Sequence, residues 1–585
     1  MRESRHCFAD SRRLTGPNLF FDVPGAVLEA LGPAARDDAA HARWYAAVAA
    51  LRQALGWPAA PAAARRHAGG AQLALAAPPG LLLAATELNE WAWEAACGLF
   101  DGGLAAAAQG LFERAHPAGL EAMAHALAER AGAEFDPALA ALQDASGARG
   151  LPVFSDDEAV SVGAGRGSRC WPRGALPDAG SLPWSELHDL PVALVTGSNG
   201  KTTTARLVAA LLGAEGRCVG LCGTEGVTVG DAAPLAVGDY AGPAGARLVL
   251  RDPRVEAAVL ETARGGILRR GLAVQRADVA VVTNLSADHF GEYGIDTLHD
   301  LADAKLVVAR ALGTQGLLVL NADNALLLAR APLQRCRVAL FALDEAHPAL
   351  AACRAAGAPT CGVAAGRLRL WQSGAAHDLG AVAAMPLSHG GVARHNVANL
   401  AAAALAAAAL GVAPETIART LSGFGRDPRD NPGRLERHAW QGAAVLVDYA
   451  HNPEGLAALL GVAAAVPGRR RLSLLLGQAG NRDDAAIAEL ARTAAAAAPD
   501  RIVLKELPAM LRGRAPGEVP ALLRRALRDA GVPGERIELV PDEAAAARML
   551  LAAARPGDVI VLPLHDPGAR AEIAGLLEAR GSARD

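Results

Sequence analysis

The chain has 585 residues, 52% hydrophobic and 20% charged, with a formal net charge of −4. That length and apolar share suffice for three or four domains, each burying its own core. The mild acidity gives no bulk attraction to nucleic acid or an anionic membrane, though it leaves room for a local basic patch, so a small or peptide-like substrate is expected.

The opening MRESRHCFADSRRL places charges where a signal peptide needs an apolar core, and no run reaches the roughly eighteen apolar residues of a membrane span. A cytoplasmic location is expected. Residues 1–187 read as an α+β region unlike the rest of the chain. SRRLTGPNLFF (Ser11 to Phe21) mixes arginines, a Gly-Pro-Asn turn and two phenylalanines, and helical stretches are expected around 35–56 and 86–131. In TELNEWAWEAA, Glu87, Glu90, Trp91, Trp93 and Glu94 crowd one helix; the simplest expectation puts the tryptophans in the core and the glutamates in water. The Gly-, Pro- and Ser-rich stretch 165–187 reads as a linker. The eight cysteines lack C-x-x-C spacing and are expected to be buried, reduced thiols.

Next comes PVALVTGSNGKTTTARLVAALL (Pro191 to Leu212), which reads as a buried strand, a glycine turn and a helix with one apolar side. In the cradle formed by Gly197, Ser198, Asn199, Gly200, Lys201, Thr202 and Thr203, the two glycines let the backbone turn its N–H groups inward. Lys201 can reach phosphate oxygens, Thr202 can hold Mg²⁺, and the helix N-terminus adds partial positive charge. The spacing is the shorter G-x-x-G-K-T-T rather than G-x4-G-K-[ST]. Of 57 basic side chains only three are lysines, namely Lys201, Lys305 and Lys505. Lysine is a compact point charge and, when neutral, a nucleophile, so its retention where arginine has replaced it elsewhere marks all three for scrutiny.

From residue 191 onward strands alternate with helices, the pattern of a mostly parallel sheet covered on both sides, with strands expected at 256–261, 278–284 and 316–320. In such sheets ligands gather at the carboxyl ends of strands. Glu261 closes one strand and His289 follows another; with Thr202 they make a credible Mg²⁺ site, since Mg²⁺ takes few protein ligands and keeps waters and phosphates. Residues 400–411 read as an alanine-rich helix. The last region repeats the alternation, with strands expected at 443–448, 471–476, 501–504 and 558–562 in a Rossmann-like sheet. Its KELPAMLRGRAPGE segment offers Lys505, Arg512 and Arg514 for a carboxylate and Glu506 and Glu518 for a cation, or else a solvated charged loop.

GSNGKTTT, the strand-end Glu261, DHF at 288–290, HNVAN at 395–399, PGR at 432–434 and DYAHNP at 448–453 resemble the Mur ligase family, whose members join a carboxylate to an amine using ATP. The segments 251–272, 300–305 and 511–518 are similar more specifically to the Mur-ligase-like half of the cyanophycin synthetases. LTGPN and the segment 150–165 resemble the N-terminal part of those enzymes, but the ATP-grasp domain that follows it there is missing here. The resemblance implies an α/β architecture with a P-loop central domain (188–432), a Rossmann-like C-terminal domain (433–585) and an α+β N-terminal domain with linker (1–187). It implies ATP and Mg²⁺ as cofactors, with Lys201, Glu261, His289 and Lys305 catalytic and Lys305 carbamylated into an anionic metal ligand. It places Asn396 and Asn399 beside the nucleotide base, has HNVAN precede a long helix, and has Arg434 and Asp448 hold the nucleotide, with His451 and Asn452 on the same loop. The D-N-P-R motif that reads the incoming amino acid in many Mur ligases is missing.

Arg264, Arg269 and Arg270 can grip an acidic acceptor by bidentate pairs, or can simply cap a helix after a Gly265-Gly266 turn. Expected partners are an acidic amino acid or peptide and an amine, with no nucleic acid and no membrane; homo-oligomerisation is left open. Two alternatives stand beside this reading. A folylpolyglutamate-synthetase-like ligase is disfavoured by the LTGPN and RGGILRRG segments. A dead nucleotide-binding scaffold is disfavoured by the retention of Lys201, Thr202, Glu261, His289 and Lys305.

Overall fold

The computed structural model describes residues 7–100, 116–287 and 290–581. Its backbone is organised around four sheets. The first is antiparallel, in the order Phe8–Leu14, Gly25–Ala30, Gly70–Ala76, Ala62–His67. Helices Asp38–Ala54, Leu82–Ala96 and Leu120–Glu134 cover one face through Trp44, Leu51, Leu88 and Trp93. The predicted helical stretch 86–131 is therefore interrupted, and its middle, 101–115, lies outside the described residues.

The expectation of water-facing glutamates in this region is overturned. Glu90 and Glu94 are 1% and 2% exposed, and His116 Nδ1 lies 2.7 Å from Glu94. Burial pushes the Glu90 carboxyl up to about 7.

The stretch read as a linker is also structured. Arg169–Pro172 pairs with Ala159–Val162, which pairs with Val153–Ser155, and Leu182 and Leu187 are buried against Leu142 and Val162. Gly- and Pro-rich composition marked irregular backbone correctly but could not show that a few leucines anchor it. Of the cysteines, Cys222 and Cys361 are buried and Cys170 is exposed; all eight are free, so burial holds for only part of the set.

The central sheet has eleven strands. Val219–Gly223, Ala257–Glu261, Val192–Thr196, Ala277–Val282, Leu312–Asn321, Arg337–Phe341 and Thr360–Ala364 run parallel in that order, and antiparallel strands finish both edges. Val192–Thr196 is buried at every residue, as a strand covered on both faces requires. The alanine-rich helix is Arg394–Ala409, and HNVAN lies in its opening turns rather than before it. Its alanines are buried beside helix Lys201–Gly213, where small side chains let the two approach closely.

The last sheet runs Glu436–Trp440, Ala443–Asp448, Asp558–Pro563, Arg471–Leu476, Arg501–Leu504, Ile537–Leu539, parallel except for its opening hairpin. Among the described residues no helix is long and apolar enough to cross a membrane.

Candidate active site

The cradle forms where strand Val192–Thr196 ends and helix Lys201–Gly213 begins. Gly197 (φ +147) and Gly200 (φ +79) adopt conformations that disfavour side chains. A Cβ on Gly197 would lie 1.8 Å from Thr283 Oγ1, and one on Gly200 would lie 2.3 Å from Asn399 Oδ1. Asn399 therefore packs under the cradle; its amide donates to Asn396 Oδ1 at 3.1 Å, and Asn396 donates to Leu387 O at 3.0 Å. Both asparagines are buried.

The turn is buttressed by residues that pattern reading missed. Thr283 Oγ1 and Asn284 Nδ2 donate to Asn199 O at 2.6 and 3.0 Å, Asn284 Oδ1 accepts from Asn199 N at 2.9 Å, and Ser286 N donates to Ser198 Oγ at 3.0 Å. These residues follow strand Ala277–Val282, so the strand-end rule was the signal that could have found them.

Lys201 Nζ donates to Ser198 O at 3.0 Å and Lys305 Nζ to Gly197 O at 2.7 Å, so two of the three lysines converge on one glycine turn. Beside them Thr202 Oγ1 donates to Glu261 Oε2 at 3.0 Å, and Thr224, another residue missed, donates to the same carboxylate through Oγ1 at 2.9 Å and N at 3.2 Å. Glu261 is 1% exposed. A buried carboxylate ringed by hydroxyls is an oxygen donor set of the kind Mg²⁺ takes. His289 lies outside the described residues, among which no three His, Cys, Asp or Glu side chains gather as metal ligands.

A second group approaches from the C-terminal sheet. Asp448, at the end of Ala443–Asp448, accepts from Leu435 N at 2.7 Å; burial raises its carboxyl above the usual range and Arg434 opposes the rise. The Arg434 guanidinium stacks 4.4 Å from the Tyr449 ring centroid, Nη2 lies 3.3 Å from Glu225, and Nη1 is buried without a partner among the described residues. Arg570 donates to the same Glu225 oxygen at 2.8 Å. Arg206, whose guanidinium burial destabilises, lies within electrostatic range of both arginines. Glu225 thus faces three guanidiniums, with Asp448 beside Arg434 and Glu261 within electrostatic range of Arg206. Asn452 donates to Asn199 Oδ1 at 2.9 Å and Asn431 to Thr203 Oγ1 at 3.2 Å, so the loop that follows Asp448 rests directly on the cradle.

A cleft of about 2290 Å³ opens from the cradle, and Gly197, Ser198, Lys201, Lys305, Arg264, Arg269, Arg270, His451 and Arg512 line it. Helix Arg264–Arg270 contains Gly265 and Gly266, which therefore do not form a turn ahead of it. Arg264 pairs with Glu292, while Arg269 donates to Gly265 O at 3.1 Å. Arg514 does not line the cleft; it braces its own loop through Glu518, Asp484 and the Gly480 and Arg482 carbonyls.

Residues 195–407 match the Mur ligase middle domain and residues 433–563 the Mur ligase, glutamate ligase domain, together more than half of the chain. The chain belongs to the Mur ligase family.

Cyanophycin synthetase of Synechocystis sp. is 36% identical over 375 residues, which cover 64% of this chain and 42% of that protein. A UDP-N-acetylmuramoyl-L-alanyl-D-glutamate–2,6-diaminopimelate ligase of Chlorobaculum tepidum is 29% identical over 395 residues, covering 65% and 73%. Among solved structures, E. coli FolC in complex with DHPP and ADP has a TM-score of 0.47 at 20% identity, covering 67% of this chain and 89% of that one. The chain spans less than half the length of the cyanophycin synthetases it matches.

Within the Mur ligase middle domain lie the cradle, Glu261, Lys305 and Asn399, and within the glutamate ligase domain lie Arg434, Asp448 and Asn452. Lys505 also falls in the latter, but it is wholly buried, paired with Glu543 and hydrogen-bonded to Pro563 O. It is therefore unavailable to a substrate carboxylate.

Proposed function

We propose that this Mur ligase family member is an ATP-dependent carboxylate–amine ligase working through an acyl phosphate. The observation that carries the reading is the convergence of Lys201 and Lys305 on one glycine turn beside the Thr202–Glu261 pair. In the proposed sequence an acceptor carboxylate attacks the γ-phosphate of ATP, releasing ADP; an amine then attacks the acyl carbon and phosphate leaves. Lys201 and the backbone N–H groups of the turn neutralise charge on the transferring group. Thr202, Glu261, His289 and Lys305 would hold Mg²⁺, which supplies further charge neutralisation there. Arg434 and Asp448, brought over the cradle by the C-terminal sheet, hold the nucleotide and exclude water that would hydrolyse the intermediate.

The proposed division of labour follows 1–187, 188–432 and 433–585. Arg264, Arg269 and Arg270 would grip an acidic amino acid or acidic peptide, with Arg512 and His451 nearer the entering amine. Without an ATP-grasp domain between its N-terminal region and the cradle, the chain is not expected to build an aspartate–arginine polymer alone from the free amino acids.

The test is phosphate release from ATP with a panel of acidic amino acids, aspartyl peptides and amines. Release that requires both an acidic acceptor and an amine, and is not stimulated by folates, supports the reading; ATP turnover indifferent to either partner sinks it. The carbamate on Lys305 has its own check. Lys305→Arg should be nearly inactive although charge is kept, and Lys305→Ala should recover part of its rate when a small carboxylic acid is added; an active arginine variant refutes it.

A further inference from the structure

The N-terminal sheet has helices on one face only, yet its other face is not open to water. It carries buried polar side chains, with Gln72 1%, Arg12 8% and Glu29 9% exposed. Buried polar groups need partners; Glu29 is held by Arg12 and Gln72 within the sheet, while Gln72, with Arg65 and the Ala68 N–H beside it, reaches the loop that follows the 287–289 ADH motif. Gln72 Nε2 donates to Tyr293 O at 2.8 Å, Arg65 Nη1 to Gly294 O at 2.8 Å, and Ala68 N to Asp296 Oδ2 at 2.6 Å. Arg65 Nη2 donates to Asp300 Oδ1 at 2.5 Å, and Arg12 lies 4.7 Å over the Tyr293 ring. The fit is close: Gly294 has φ +64, and a Cβ there would lie 2.9 Å from His67 Cδ2.

What this loop leads into makes the contact informative. Asp300 forms a capping box with Thr297 at the start of helix Leu298–Lys305, and the far end of that helix presents Lys305 to Gly197 O. Glu292, in the same loop, accepts from Arg264 of the central region and from Asn481 of the C-terminal region, the latter at 2.9 Å.

We propose that the N-terminal sheet is a positioning element of the ligase site: Arg65, Gln72 and the Ala68 N–H fix the 292–300 loop and thereby set the helix that brings Lys305 to the cradle. A face that merely shed apolar surface would be apolar and tolerant of sliding. One built from directional hydrogen bonds to successive loop positions fixes a single register. What Lys305 does chemically rests on the ligase reading; the contact and its effect on the helix do not.

The experiment uses the full chain and two readouts. Hydrogen–deuterium exchange without nucleotide should show amides in 290–305 exchanging about tenfold faster in Arg65→Ala, while the 471–476 strand is unchanged. Asp300→Asn keeps a capping oxygen, removes the charge and leaves the N-terminal sheet intact, so it reports from the other side should Arg65→Ala fail to fold. In ligation assays both variants should lower kcat by about 10- to 100-fold with the KM for ATP unchanged. Arg65→Lys should recover part of the loss. Wild-type exchange in 290–305 for both variants, or an equal rise in every segment, overturns the proposal. An inactive wild-type protein would count against the ligase reading alone, because the exchange measurement still decides the positioning.

Discussion

The central cradle and the heart of the C-terminal sheet each keep lysine where the chain elsewhere uses arginine, and they put it to opposite uses. Lys201 and Lys305 converge at the carboxyl end of strand Val192–Thr196, bonded to carbonyls of a glycine turn that opens into the large cleft. Lys505 has no exposed surface, pairs with Glu543, and lies 3.0 Å from His565 Nδ1. His565 Nε2 in turn lies 3.2 Å from Ala450 O, so this buried network braces the loop that follows Asp448. Lysine suits both places because its ammonium is compact, whereas a guanidinium would overfill either. The rarity of a residue therefore marks a constraint without saying whether the constraint is catalytic or structural.

The comparison is sharpest in single substitutions. In the proposed mechanism both residues serve the transferring phosphoryl group, so Lys201→Ala and Glu261→Ala should each lower ligation by about 10³-fold or more, with little change in unfolding free energy for Lys201→Ala. Near wild-type turnover in either would remove the cradle from the mechanism. Lys505→Met should do the reverse, destabilising the C-terminal region by about 3 to 5 kcal/mol in denaturant unfolding because Glu543 is left buried without its cation, held by the His565 and Asp566 N–H groups. Lys505→Met with Glu543→Leu should recover much of that loss. A stable but inactive single variant would move Lys505 into the catalytic group.

Much of the cradle was legible because its signal is local: Gly197, Gly200, Lys201 and Thr202 lie within one turn of chain, and conformation and chemistry need those types there. Thr224 was not legible, because its role comes from adjacency across the sheet rather than from sequence neighbours, and Thr283 and Ser286 were marked only by following a strand end. The alternating strands of the central and C-terminal sheets showed in their apolar runs. The N-terminal sheet did not: Arg12 and Arg13 interrupt strand Phe8–Leu14, and Arg12 is held by Glu29 of the neighbouring strand and lies over the Tyr293 ring. Burial of Glu90 and Glu94 was hidden for the same reason, since His116 is supplied by a segment beyond the helix that carries them.

A smaller effect separates the two regions by pH. Burial, helped by the nearby Lys505, holds the folded His565 pKa at about 4 against an ordinary 6.5. Between those values the unfolded chain binds a proton that the folded chain refuses, so C-terminal stability should fall as pH drops from about 6.5 to 4, by at most about 3 kcal/mol from this group. Below pH 4 its contribution is constant. His565→Gln should flatten the slope in that window in equilibrium unfolding; an unchanged slope would place the titration elsewhere.

The mildest change is expected at Arg264→Ala. It should raise the acceptor KM or lower turnover several-fold while leaving ATP affinity intact, as a carboxylate-gripping arginine would. A fall in ATP affinity with unchanged acceptor dependence would assign the arginine to the nucleotide instead.

The most direct test tracks the acceptor's oxygen. If ligation proceeds through an acyl phosphate, an acidic acceptor labelled with ¹⁸O in its carboxylate must pass one labelled oxygen to the phosphate released for each amide formed, and mass spectrometry of that phosphate should show it. Unlabelled phosphate accompanying amide formation would contradict the account.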